Sequence, residues 1–189
     1  MPIAAKIMRT MRETEIPEEI LTQFDVPDAR GNRPEPIIAF INQMDELLTK
    51  EQRLLVMEQQ GCTKTGKNSI ATLAFGYEHA DKTLEEKVAL WATADIPYSF
   101  QCELNHDGTL SAHFDIIAGQ KYVCVCSAIK KLSQPTHVSN TYCGCCGGFV
   151  RHNLQNALRV KLRLKEIVSS PFSSCGKKRC EWLFEILDK

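Results

Sequence analysis

The hydrophobic period changes once along the chain, near Pro97, and that switch limits the folds open to it. Before it, apolar residues recur every three to four positions, the spacing of one helix face. Ile3, Ile7, Met8 and Met11 share such a face, with Lys6, Arg9 and Arg12 opposite. Ile37, Phe40, Ile41, Met44, Leu47 and Leu48 form a second stripe. Thr49 with Gln52, and Thr83 with Glu86, have capping-box spacing, in which two side chains satisfy each other's backbone N–H. The first opens a helix running to about Gln59. The second opens one that buries Leu84, Val88, Trp91 and Ala92. Between them, Asn68 or Ser69 is expected to cap a helix carrying Ile70, Leu73, Ala74 and Tyr77.

After Pro97 the period is two. Tyr98, Phe100, Cys102 and Leu104 alternate with Ser99, Gln101 and Glu103. Asp107-Gly108 predicts a hairpin turn, because that pair tolerates positive φ. Ala112, Phe114 and Ile116 return, and residues 122–127 read as a third strand. A helix is predicted over 148–158, then strands at Val160, Leu162 and Leu164 and at Cys180, Trp182, Phe184 and Ile186. Lys161, Arg163 and Lys165 form the wet face of the first of these. A helical N-terminal half followed by a mainly antiparallel sheet with one inserted helix is an α+β plan. The Pro- and Gly-rich stretch 26–34 marks a boundary. It divides the chain into an N-terminal helical arm, 1–33, and a single α+β domain with a Cys-rich site, 34–189.

Composition narrows the function classes. The 189 residues carry zero formal net charge, which argues against a nucleic-acid binder. No apolar run approaches the roughly 20 residues that span a bilayer, so no membrane partner is expected. The N-terminal apolar patch is too short for a secretory signal, which points to the cytoplasm. Nine cysteines in a reducing compartment suggest metal, catalysis or redox chemistry more than a disulfide framework.

Residues 141–149, TYCGCCGGF, concentrate that sulfur. If the helix starts near Gly147 or Gly148, its first amides are unpaired and carry partial positive charge. A cysteine there is held ionised, and Cys146, then Cys145, is the candidate nucleophile. The Gly147 and Gly148 amides would cradle the ligand's anion, with Cys143 and Cys62 lining the site. His137, in a loop before the cluster, is the candidate base. His152 lies about 10 Å up the helix, too far from Cys146. His113 and Asp115 sit together on a strand. A second reading is non-enzymatic: a ligand or zinc sensor, with zinc on Cys143, Cys146, Cys175 and Cys180. A third is a Cys143/Cys146 redox pair. A fourth is a Gly-rich turn with buried small thiols, the role expected also of Cys102. Cys124 and Cys126 pack with Tyr122 or line a pocket. The partners consistent with these readings are a small-molecule ligand and a second copy of the chain.

The stretch 61–68, GCTKTGKN, nearly spells a phosphate-binding P-loop. Asn68 stands where a magnesium-holding Ser or Thr is needed, and the preceding segment reads as a helix instead of a strand. A polar loop between two helices is the better reading.

The segment from Tyr142-Cys-Gly-Cys-Cys-Gly-Gly to Cys180-Glu-Trp-Leu-Phe-Glu-Ile resembles the C-terminal part of L-2-amino-thiazoline-4-carboxylic acid hydrolase-like proteins. It is also similar to the small-molecule-binding domain named after bacterial 4-vinyl reductase. The likeness covers about the last 50 residues, ending on Gly176-Lys-Lys-Arg-Cys180-Glu181-Trp182. It implies a cytoplasmic small-molecule domain that hydrolyses a cyclic amidine-type C–N bond or senses a ligand. The Cys145-Cys146 doublet and Cys175 beside Gly176 depart from the family pattern.

Overall fold

Thr49 and Thr83 each open a helix as their spacing requires. The Gln52 amide donates to Thr49 Oγ1 at 3.2 Å and the Thr49 amide to Gln52 Oε1 at 2.9 Å. Thr83 and Glu86 repeat the exchange at 3.2 and 2.7 Å. The computed structural model describes residues 3–28, 34–62, 64–95, 100–132 and 137–188. Pro97, Tyr98, Ser99 and much of the 26–34 loop lie outside them.

Among the described residues six helices come first: α1 Ala4–Glu13, α2 Glu18–Leu21, α3 Glu35–Leu47, α4 Lys50–Met57, α5 Lys67–Glu78 and α6 Leu84–Trp91. Strands β1 Gln101–Leu104 and β2 Leu110–Phe114 follow, joined by the expected hairpin with Gly108 at φ 80°. A two-residue ladder pairs β3 Ile117–Ala118 with β4 Lys121–Tyr122. The long helix α7 Asn140–Leu158 leads to β5 Lys161–Ser169 and β6 Cys180–Asp188. The main sheet has the order β1-β2-β6-β5, antiparallel throughout, so the α+β expectation holds.

Two cores meet on α7. One gathers α1, α3 and α4 through Ile7, Met11, Phe40, Ile41, Met44 and Met57, and takes in Tyr142 and Cys145 of α7. The other sets Leu110, Ala112, Leu164, Trp182 and Phe184 of the sheet against Val150, Leu154 and Ala157 of α7. Each such large side chain contributes about 1.5–3 kcal/mol by leaving water. Within the expected N-terminal arm, 1–33, Ala4, Ile7 and Met8 are buried in the first core. Among the described residues no helix is long and apolar enough to cross a membrane.

Two local expectations fail for packing reasons. Helix α5 starts at Gly66, its N-cap, and exposes Ile70, Leu73 and Tyr77. It turns Ser69, Thr72 and Gly76 onto α7 instead. The Thr72 hydroxyl donates to Asn153 Oδ1 at 3.3 Å, and Ser69 Oγ lies 3.2 Å from His152 Nε2. A methyl on Gly76 would run into the Asn156 carbonyl oxygen, so the helices approach on their small, polar sides. The third strand stops at Tyr122. Val123 still donates to Ile116, but Lys130 then bonds back to the Cys126 carbonyl and closes a short turn.

Candidate functional site

Helix α7 begins eight residues before Gly148. Ser139 caps it, its Oγ accepting the Thr141 amide at 2.9 Å. Cys143, Cys145 and Cys146 therefore lie inside the helix, and the Gly147 and Gly148 amides are in its hydrogen-bond ladder. The anion cradle expected of those amides does not form. The glycines admit neighbours instead. A Cβ on Gly148 would meet the Gln60 carbonyl oxygen and stand 2.7 Å from that of Glu58. On Gly144 it would sit 2.6 Å from Met57 Cβ, and on Gly147 3.0 Å from Trp182 Cδ1.

The three thiols of the cluster diverge. Cys143 is buried, and burial pushes it up to about 12. Cys146 is half-buried on a cleft wall, where desolvation holds it well above the ordinary thiol value. Cys145 points into the first core, 2% exposed, with its sulfur 3.7 Å from that of Cys62. Cys62 itself is exposed. The hydrogen-bond contact with Cys145 holds it well below the usual thiol range, while the same contact, with burial, pushes Cys145 up. Cys180 holds Cys124 down in the same way.

Cys143, Cys146, Cys175 and Cys180 do not assemble into a zinc site. Among the described residues no group of three or more His, Cys, Asp or Glu side chains is placed to hold a metal ion. Cys175 is exposed in a turn at φ 52°, and Cys180 is buried on β6. His137 is exposed, and its carbonyl accepts from Asn42 Nδ2 at 3.0 Å. It does not line the cleft.

The cleft has a volume of about 950 Å³ and opens where α7, the start of α5 and the end of β2 converge. Phe114, Ile116, Val125, Cys146 and Phe149 form its apolar side. Cys62, Thr65, Gly66, Lys67 and Asn68, from the near-P-loop stretch, form one polar edge. Cys126, Ser127 and Lys130 form another. Asp115, its carboxylate, accepts from His113 Nε2 at 2.9 Å and from Arg179 at 3.3 Å. His113 is 3% exposed, and its Nδ1 has no partner among the described residues. Lys67 and Lys130 are exposed and ion-paired to no described residue. The cleft thus offers two cations with no ion-pair partner among the described residues, an apolar wall, and an exposed sulfur, Cys62, biased toward thiolate.

Sequence reasoning placed Cys62 only among the lining residues. It missed Lys67, Lys130 and Asp115 as site groups. The pairing of His113 with Asp115 was visible in their spacing. Lys67 stands in the near-P-loop stretch, read as a polar loop, and Lys130 carries no signal beyond lying near a loop.

The fold and the cleft together define an α+β domain with a thiol-lined cleft. Comparisons with protein-family models, with curated proteins and with solved structures find no match.

Proposed function

We propose that this domain binds a small anionic molecule with an apolar body, and that Cys62 is the sulfur that meets it. The carrying observation is the cleft itself, which joins Lys67 and Lys130 to a wall of Phe114, Ile116 and Phe149 beside Cys62. Its volume is that of an ordinary small-molecule site. The compartment that suits reduced thiols is the cytoplasm.

The chemistry open to such a site is addition of the Cys62 thiolate to a C=N or C=O carbon. The electron pair passes to the ring nitrogen, which takes a proton; the adduct then collapses as the other amidine nitrogen forms a new C=N, gives up its proton to the departing ring amine and breaks the C–N bond to it. A water that loses its proton to the Asp115–His113 pair adds to that carbon, and the Cys62 thiolate leaves as the C=O forms. Cyclic amidine hydrolysis, implied by the resemblance of the last 50 residues, is of this class. A second reading, ligand sensing without turnover, draws on the double engagement of Asp115 by His113 and Arg179. That engagement occupies both carboxylate oxygens with protein partners.

Alkylation of Cys62 tests the shared part of both readings. Iodoacetate carries a carboxylate and iodoacetamide does not. Two cations lining the same cleft as the reacting sulfur are each worth up to about 1 kcal/mol in water. Lys67→Ala with Lys130→Ala is therefore expected to slow iodoacetate about tenfold relative to iodoacetamide. Equal slowing of both reagents, or of neither, overturns the anion site.

A further inference from the structure

We propose that Cys62 and Cys145 are a hydroperoxide-reactive dithiol: Cys62 takes the oxidising oxygen and Cys145 resolves it to a disulfide. The sulfurs lie 3.7 Å apart, van der Waals contact for sulfur. A disulfide needs about 2.05 Å, so they must close by roughly 1.7 Å. The two positions differ as the two steps require. Cys62 sits exposed in the connection between α4 and α5, open to a small oxidant. Cys145 is 2% exposed and fixed in α7, so it meets oxidant poorly but stands beside the product. The sulfur–sulfur hydrogen-bond contact with Cys145 also favours the Cys62 thiolate that attacks an O–O bond.

The steps balance. The Cys62 thiolate attacks the outer oxygen of a hydroperoxide, and the O–O bond breaks to leave alkoxide or hydroxide, which takes a proton. Cys62 is then a sulfenic acid. Cys145 attacks that sulfur, its thiol proton leaves with the sulfenic oxygen, and one water departs. The peroxide is reduced by two electrons, and the two thiols are oxidised to one disulfide. This bond ties the α4–α5 connection to α7 and removes the cleft's accessible sulfur. In that consequence the inference rests on the proposed function; the dithiol chemistry itself does not.

The other thiol pairs lack one of these properties. Cys124 is only half-buried and meets Cys180, which is 3% exposed and pinned on β6. Cys143 lies with Cys146 on the same helix, and Cys143 is buried.

The test treats the reduced full chain with one equivalent of hydrogen peroxide and maps thiols by mass spectrometry. The expected product has lost two hydrogens, keeps seven of the nine thiols, and yields a Cys62–Cys145 cross-linked peptide. Cys145→Ser keeps an O–H donor beside Cys62; it is expected to give a Cys62 sulfenic acid that dimedone traps, with no cross-link. Cys62→Ser is expected to give neither product. A first disulfide at Cys124–Cys180 or Cys143–Cys146 overturns the assignment. So does a parent chain in which dimedone labels Cys62 as fully as in Cys145→Ser. Lys67→Ala with Lys130→Ala separates this outcome from the proposed function, because it abolishes iodoacetate preference and leaves the disulfide unchanged.

Discussion

Cys62 and Cys146 both line the cleft, yet their surroundings bias their sulfurs in opposite directions. Desolvation on the cleft wall raises Cys146, whereas the exposed Cys62 is lowered by its hydrogen-bond contact with Cys145. An ordinary thiol loses roughly a hundredfold in alkylation rate between pH 8 and pH 6, following its pKa near 8.5. The Cys62 rate with iodoacetamide is expected to fall less than about threefold over that range. A profile that tracks an ordinary thiol removes Cys62 as the reactive group. Glu58 shows the reverse case. It is 3% exposed, and burial raises its carboxyl even though Oε2 accepts the Leu164 amide at 2.6 Å. A carboxyl raised in the folded state holds its proton after the unfolded chain has released one. Its contribution is fullest below about pH 4 and is lost as pH rises toward neutrality. Urea stability of the parent relative to Glu58→Gln is therefore expected to decline from pH 4 to pH 7. A difference that is constant, or that grows with pH, contradicts the assignment. Residue types were legible in the sequence, but charge state was not. It depends on Cys145 meeting Cys62 across 83 positions.

Helix α7 shows what composition conceals at the level of an element. Three glycines in five positions, Gly144, Gly147 and Gly148, read as a turn, because glycine in a helix costs about 1 kcal/mol against alanine. They are helical because α7 is packed on several sides at once. Gly144 and Gly148 face α4 and its C-terminal carbonyls, and Gly147 faces Trp182. The helix start was displaced by eight residues for this reason, and the supposed anion cradle with it. The periodic signals that survived, the capping boxes, the hairpin and the alternation of β5 and β6, were those in which local chemistry and packing agree. On α5 they disagreed, and polar contacts with α7 overrode the apolar stripe. Gly148→Ala weighs the two effects directly. Propensity alone predicts a gain of about 1 kcal/mol, while overpacking against two rigid carbonyls costs about 1–3 kcal/mol or more. A net loss of about 2 kcal/mol in urea unfolding is expected. A neutral or stabilising result means that α7 does not lie against the end of α4 as described.

At the scale of the molecule, α7 determines whether the chain unfolds once or twice. Its N-terminal turns belong to the helical core through Tyr142 and Cys145, and its later turns to the sheet core through Val150, Leu154 and Ala157. The cleft lies beside the stretch where one core gives way to the other, at Cys146 and Phe149. A helix shared in this way cannot lose one half of its packing without exposing backbone and apolar surface in the other. Both tryptophans, Trp91 and Trp182, report on the sheet core. Met44 is fully buried in the helical core, so Met44→Ala should cost about 2–5 kcal/mol. If α7 couples the cores, that cost appears in full in the tryptophan fluorescence transition, which moves to lower urea together with the far-ultraviolet circular dichroism signal. If the cores are independent, the dichroism transition divides and the tryptophan transition stays where it was. The coupled outcome would also account for siting a cleft at the junction: its walls come from both cores, and a ligand spanning them stabilises the whole chain instead of one half.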